Sequence, residues 1–224
     1  MSERSSIFDM IGPVMIGPSS SHTGGVARIG RVARHLFGHQ PDAVTITFYN
    51  SFARTYEGHG SDRAIIAGLL DMSPDDERLK SSLELAAESG MNIQMKAMNN
   101  ASALHPNSIR IDMVREEAVM SVRGVSRGGG IIAIAEIDQF KCNFSAATPT
   151  LIITAEDVHG SVAFISSVIA FENCNIATMT VNRRGKADLA KLVLELDSGL
   201  RPLTIEYLRS LSWIRDVTYL QLDQ

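Results

Sequence analysis

Leu151-Ile-Ile-Thr-Ala155 is a compact apolar strand, and the residues after it decide the fold of the C-terminal part. The turn Glu156-Asp-Val-His-Gly160 leads into Val162, Ile165, Val168, Ile169 and Phe171, which recur at helical spacing until Glu172-Asn-Cys-Asn175 breaks the pattern. Ile176 to Asn182 alternates as a strand, Arg183-Arg-Gly-Lys186 turns, and Leu192-Val-Leu-Glu-Leu196 returns as the second arm of a hairpin. Gly199-Leu-Arg-Pro202 opens a helix with Leu203, Ile205, Leu208 and Leu211 inside, and Val217-Thr-Tyr-Leu-Gln-Leu222 closes as a strand. The order is β-α-β-β-α-β, that of a ferredoxin-like module.

Working back from this module, Asn143-Phe-Ser-Ala-Ala-Thr-Pro-Thr150 is a small-polar stretch with a proline between two apolar strands, which marks a short linker. It divides the chain into a domain over residues 1–147 and a second over 150–224. The first reads as α/β. A loop at residues 11–21 precedes a helix over Thr23–Phe37, whose register puts Val26, Ile29, Ala33 and Leu36 on one face. Val44–Tyr49 alternates as a strand, Ser61–Leu70 and Asp75–Ala87 read as helices, and the second has an acidic first turn that suits the helix dipole. Strands are expected near Asn92–Met98, Ser108–Val114, Ala118–Val125 and Ile131–Ile137, with Gly128-Gly-Gly130 as the turn between the last two.

The 224 residues are 45% hydrophobic and 21% charged, an ordinary globular composition that argues against long disorder. With 21 basic and 25 acidic side chains the net charge is −4, which leaves neither a nucleic-acid footprint nor a polybasic membrane anchor. The N-terminal Met-Ser-Glu-Arg-Ser-Ser6 lacks the order of a signal peptide, and no apolar run approaches the ~20 residues of a membrane span. Two cysteines, Cys142 and Cys174, suit a reducing cytoplasm, and they cannot supply a site that needs three or four thiolates.

The densest chemical signal is Gly17-Pro-Ser-Ser-Ser-His-Thr-Gly-Gly25, placed just before the first long helix. Backbone N–H groups at a helix start favour an anion, hydroxyls add donors, and glycines let a ligand approach the backbone. His22 can take or give a proton near neutral pH. The plainer reading is a capped helix with a serine-rich entry loop. Arg28, Arg31 and Arg34 form a stripe on that helix, able to hold a carboxylate but more commonly a solvated face. Glu57-Gly-His-Gly-Ser-Asp62 sets His59 between glycines at a helix start, where Ser61 or Asp62 serves as a cap. His105-Pro-Asn107 precedes a strand, although Pro-Asn is routine in turns. His35 and His39 sit at a helix end and read as caps of carbonyls. Walker, Gly-x-Gly-x-x-Gly, Gly-x-Ser-x-Gly and His-Glu-x-x-His patterns do not occur, and the Met-rich run Met91–Met98 reads as strand packing.

Ile16-Gly-Pro-Ser-Ser-Ser-His-Thr23 followed by Arg28-Ile-Gly30 resembles the signature of the β subunits of iron–sulfur-dependent L-serine dehydratases. Tyr56–Asp62, Asp75-Asp-Glu-Arg78, His105–Asn107 and Gly128-Gly-Gly-Ile-Ile132 are similar to segments of that family, and the C-terminal module resembles an ACT domain. The resemblance implies an N-terminal α/β domain like the allosteric substrate-binding domain of some phosphoglycerate dehydrogenases. It also implies a separate α subunit with a 4Fe-4S cluster, and deamination of L-serine to pyruvate and ammonia. Carried over, His22 becomes the proton-transfer group, Ser19, Ser20, Ser21 and Thr23 the carboxylate donors, and His59 and His105 further members of the same interface. In the ACT module Gly160 and Asn175 mark the expected ligand or dimer site; His159-Gly160 stands where many such modules have Pro-Gly, so a homodimer contact is as well supported there as amino-acid binding. The competing expectation is a non-catalytic regulatory subunit that senses an amino acid, for which a histidine placed as base is unnecessary.

Overall fold

The computed structural model describes residues 23–98, 102–185 and 188–222. The chain divides into two compact units between Asp138 and Gln139.

In the first unit, helix α1 (Gly25–Phe37) is followed by strand β1 (Ala43–Tyr49), a six-residue helix α2 (Asn50–Thr55) and helix α3 (Ser61–Leu69). A 3-10 turn (Glu77–Ser81), helix α4 (Ser82–Glu88) and strands β2 (Asn92–Met98), β3 (Ser108–Arg115), β4 (Ala118–Gly128) and β5 (Ile131–Ile137) complete it. The strands run in the order β2-β1-β3-β4-β5. β1 and β2 are parallel, with Val44 opposite Ile93, so the chain must cross over between them, and α2, α3 and α4 fill that crossover. The other pairs are antiparallel. Ile46, Phe48, Ile109, Ile111 and Met113 are fully buried on the sheet, as are Val26, Ile29 and Ala33 of α1. α1 ends as its sequence directs: Gly38 takes the left-handed conformation at φ 81° and its N–H donates to the Arg34 carbonyl at 3.1 Å.

Two expectations for this unit differ from the structure. The single helix expected over Asp75–Ala87 is two pieces, because Asp76 caps the Arg78 N–H at 2.9 Å and the buried Ser82 hydroxyl donates to the Arg63 carbonyl at 2.7 Å. Helix α2 was not expected. It begins directly at the end of β1 through Asn50, whose φ of 50° needs the tolerance of an asparagine.

The second unit holds strands β6 (Phe140–Phe144), β7 (Thr150–Glu156), helix α5 (Ser161–Phe171), β8 (Ile176–Arg183), β9 (Leu189–Leu196), α6 (Pro202–Arg209) and β10 (Ile214–Leu220). Its sheet order β10-β7-β9-β8, antiparallel throughout, is the ferredoxin-like arrangement read from the sequence. Leu151, Ile153, Leu192, Leu194 and Leu196 close its core with Ile165 and Ile169 of α5 and Leu208 of α6. The stretch read as a linker starts inside β6, which ends at Phe144, and Ser145 is tied to Glu195 of β9 by its N–H at 2.8 Å and its hydroxyl at 2.7 Å. Among the described residues no helix is long and apolar enough to cross a membrane.

Candidate functional site

The candidate site is set by how α1 lies on α3. At the crossing, a Cβ on Gly68 would stand 2.1 Å from the Ala27 carbonyl oxygen, and one on Gly30 would stand 2.5 Å from that of Ile65. Only glycines let the two backbones come this close. On its other side α1 is seated by Ile29, whose Cγ2 would lie 2.5 Å from a Cβ on Gly124 of β4. The contacts ascend together along both helices. Thr23 meets His59, Ala27 and Gly30 meet Gly68 and Ile65, and Arg31 and His35 meet Asp71. The helices therefore run in the same general direction, with the Thr23 end of α1 beside the His59 turn. At the start of α3 the Gly60, Ser61 and Ala64 N–H groups are already taken by the Glu57, Tyr56 and Gly60 carbonyls.

At that place Thr23, buried to 1% exposure, donates its hydroxyl hydrogen to the His59 carbonyl at 3.3 Å. His59 sits in a tight turn after α2. Its N–H donates to the Thr55 carbonyl at 3.1 Å, Gly60 takes φ 69°, and the Ser61 N–H reaches back to the Tyr56 carbonyl at 2.9 Å. Tyr56 stacks on the buried Phe48 with ring centroids 4.5 Å apart, so the turn is anchored to the sheet while the His59 side chain is exposed.

His105 lies at the other end of α2. The Pro106 carbonyl accepts the Ser51 N–H at 3.0 Å and the Phe52 N–H at 3.5 Å, satisfying donors that a helix start leaves open. Asn50 holds the loop before His105 through Nδ2 to the Leu104 carbonyl at 2.9 Å and Oδ1 from the Ser102 N–H at 3.0 Å. The exposed His105 accepts the Asn107 N–H on Nδ1 at 3.1 Å. α2 spans about 9 Å, so hydrogen bonds join Thr23 to His59 directly and His105 to His59 only through the length of this helix.

Ser19, Ser20, Ser21 and His22 lie outside the described residues. The arginine stripe on α1 is half-buried rather than a solvated face. Arg28 Nη1 donates to the Gly130 carbonyl at 2.9 Å, and burial lowers its basicity. Arg31 Nε and His35 Nε2 both reach Asp71 Oδ1, at 2.9 and 2.8 Å. Burial alone would raise the Asp71 carboxyl, but the hydrogen bonds from Arg31 and His35 outweigh it and hold the group below its ordinary value. His35 thus pairs with a carboxylate instead of capping α1.

Gly160 takes φ 80° before α5, and its carbonyl accepts the Phe164 N–H at 2.9 Å. Asn175 lies beyond the far end of that helix, about 16 Å along its axis, and its Nδ2 donates to Asp197 at 3.1 Å. The structure does not bring these two residues together.

The family model for the serine dehydratase beta chain matches residues 6–97, a span that holds both the Ser-Ser-Ser-His-Thr loop and the His59 turn. The "Probable L-serine dehydratase, beta chain" of Bacillus subtilis (strain 168) is 42% identical over 213 residues, covering 95% of this chain and 96% of that one. The chain belongs to the serine dehydratase beta chain family. A second member, the "L-serine dehydratase, beta chain" of Peptoniphilus asaccharolyticus, is 34% identical over 203 residues and 89% of each chain. Among solved structures, the ACT domain from GTP pyrophosphokinase of Chlorobium tepidum is similar at 21% identity and a TM-score of 0.28, covering 32% of this chain and 95% of that one.

The residues of this serine dehydratase beta chain do not fit an iron–sulfur cluster of its own. Its two cysteines are buried, Cys174 Sγ faces the Ser198 carbonyl at 3.3 Å, and no group of three His, Cys, Asp or Glu among the described residues could hold a metal. Sequence reading missed the Gly30–Gly68 crossing. Its signal was there in two mid-helix glycines, each costing about 1 kcal/mol against alanine unless the packing needs it.

Proposed function

We propose that the chain is the β subunit of an iron–sulfur L-serine dehydratase, deaminating L-serine to pyruvate and ammonia together with an α subunit that carries the 4Fe-4S cluster. The observation that carries this reading is the Thr23–His59 hydrogen bond between the start of α1 and the turn before α3. That bond ties the glycine-flanked turn carrying the exposed His59 imidazole to the residue that ends the Ser-Ser-Ser-His-Thr loop at the start of α1, where an anion and a proton carrier suit one another. The family membership supports the substrate, and the poverty in thiols supports the division of labour between two chains.

In this reading the hydroxyls of Ser19, Ser20 and Ser21 hold the carboxylate, and Thr23, whose hydroxyl hydrogen goes to the His59 carbonyl, holds the His59 turn beside them. His22 moves a proton at the substrate, with His59 and His105 facing the same subunit interface. The cluster's ligands belong to the partner subunit in this reading. The second unit is read as an ACT domain that pairs with a second copy. Phe171 of α5 is 88% exposed and Leu203 of α6 is 73% exposed, while the edge strand β8 shows Met179 and Val181 to solvent. Neither cysteine is held in a disulfide, which agrees with a cytoplasmic setting.

Anaerobic co-expression with the cluster-bearing subunit, followed by a pyruvate assay on L-serine, tests the reading. The wild type should turn over serine and His22→Ala should lose most of that activity. A complex with a loaded cluster and no turnover would leave an amino-acid sensor in its place.

A further inference from the structure

The His105 side chain is exposed, yet the loop that carries it is tied down at several points. Its own carbonyl accepts the hydroxyl hydrogen of the fully buried Ser108 at 2.9 Å. The next carbonyl, that of Pro106, receives two N–H groups of α2, and the Asn107 carbonyl receives the Ser126 N–H of β4 at 3.1 Å. Asn50 grips Ser102 and Leu104 just ahead of it. The backbone that aims His105 is thereby set in advance, as a side chain with a positional task requires.

The ring is set as well. Its Nδ1 accepts the Asn107 N–H at 3.1 Å. A backbone N–H can only donate, so the nitrogen that it meets carries a lone pair. Pro106 between them has no N–H to compete for that position. The imidazole that makes this bond is therefore neutral, with its one proton on Nε2. Its basic nitrogen is engaged within its own turn, and what it has left to offer is a donor.

We propose that His105 acts as a fixed hydrogen-bond donor, giving Nε2–H to a substrate oxygen that gains negative charge during the reaction, and takes up no proton itself. The inference rests on the reading that places His105 at the substrate-bearing subunit interface. It separates two roles that residue type leaves together, since His22 moves a proton and His105 stabilises charge.

Three substitutions in the enzyme assembled with its α partner test it. The amide of His105→Asn ends where Nδ1 stands, so it keeps the turn to Asn107 but has no donor at the reach of Nε2. The amide of His105→Gln ends at the reach of Nε2 and donates there without titrating, and His105→Ala removes both groups. Loss of one preorganised donor costs about 10²–10³ in rate. For L-serine, kcat should fall about a hundredfold or more in His105→Asn and His105→Ala, but about tenfold or less in His105→Gln, with KM within about threefold throughout. All three chains should melt within about 2 °C of wild type, because the ring is exposed. If His105→Ala does not fold, the order of Asn and Gln decides.

A second measurement needs neither partner nor substrate. Long-range proton–nitrogen NMR correlation on the full chain with isotope-labelled histidine, at about pH 7.5 and so above the ordinary histidine range, reads the tautomer of each ring. The signals missing from His105→Gln belong to His105 and should show the proton on Nε2.

Equal loss in Asn and Gln would overturn the donor role and leave a base. Activity kept by Asn and lost by Gln would reduce His105 to a support of its turn, and kcat unmoved in all three would remove it from the site. A proton on Nδ1, or on both nitrogens, would overturn the inference before any kinetics. A wild-type complex with a loaded cluster and no turnover strikes the reading of the site together with this inference. An active wild type with the wrong order of variants strikes this inference alone.

Discussion

Gly30 and Gly68 meet backbone to backbone: a Cβ on Gly30 would come within 3.2 Å of the Gly68 Cα, and one on Gly68 within 2.9 Å of the Gly30 carbonyl carbon. Because the two helices run in the same general direction, this contact brings Thr23 and His59 to one end. Gly68→Ala should therefore destabilise the fold by at least about 1–3 kcal/mol, as overpacking does. Thermal melting would register about 2–4 °C per kcal/mol for a chain of this size. Serine turnover in the assembled enzyme should fall with it. A Gly68→Ala chain that melts like wild type would show that the helices can part freely.

Arg28 holds the Gly128–Gly130 turn through the Gly130 carbonyl, and all three glycines have positive φ, at 94°, 60° and 78°. Removing this half-buried charged hydrogen bond by Arg28→Ala should cost about 1.5–3 kcal/mol. Amide hydrogen exchange should speed up at the tips of β4 and β5 more than elsewhere. Uniform exchange along the chain would contradict a local latch.

In the second unit Glu172 joins the end of α5 to the start of α6, accepting Arg201 Nε and Nη2 at 2.8 Å each and the Thr204 hydroxyl. The Arg201 hydrogen bonds, then that of Thr204, depress its carboxyl from 4.5 to about 2. A depressed carboxyl stabilises the fold fully above its unfolded value and loses that contribution as pH falls through the folded one. Stability should thus decline between about pH 4.5 and pH 2, and Glu172→Gln should flatten that part of the curve. Melting temperatures of the two chains across this range would check it, with identical slopes counting against the assignment.

Thr23→Val removes the hydroxyl that reaches the His59 carbonyl while keeping the shape of the side chain. A hydrogen bond of this kind is worth about 0.5–1.5 kcal/mol, so KM for serine should rise about three- to tenfold. Thr23→Ser should restore it. Failure of serine to rescue would point to packing of the methyl group as the cause.

The second unit was legible almost entirely, because each of its strands and helices has its own period and its own turn chemistry. Phe140–Phe144 was passed over because a five-residue strand beside small-polar residues carries too little pattern to stand out. The first unit was read well where elements are long. It was misread at Asp75–Ala87, where local side-chain bonds of Asp76 and Ser82 override a helical pattern. The loop and the His59 turn announced themselves by residue type. The partnership of Thr23 with His59 did not, since it depends on a helix crossing between residues far apart in the chain. Asp62 read as a simple cap for the same reason. What distinguishes it is that one oxygen is closed off from solvent with no hydrogen-bond partner among the described residues, which is a property of three-dimensional surroundings alone.

The six residues of α2 act as a ruler with a histidine at each end. Each residue of a helix adds about 1.5 Å and 100° of rotation. A single insertion between Ser51 and Thr55 would therefore swing the His59 turn to another side of the sheet edge while Asn50 kept the His105 loop in place. Related chains can drift in the loops on either side of this helix, but its length is expected to be counted to the residue.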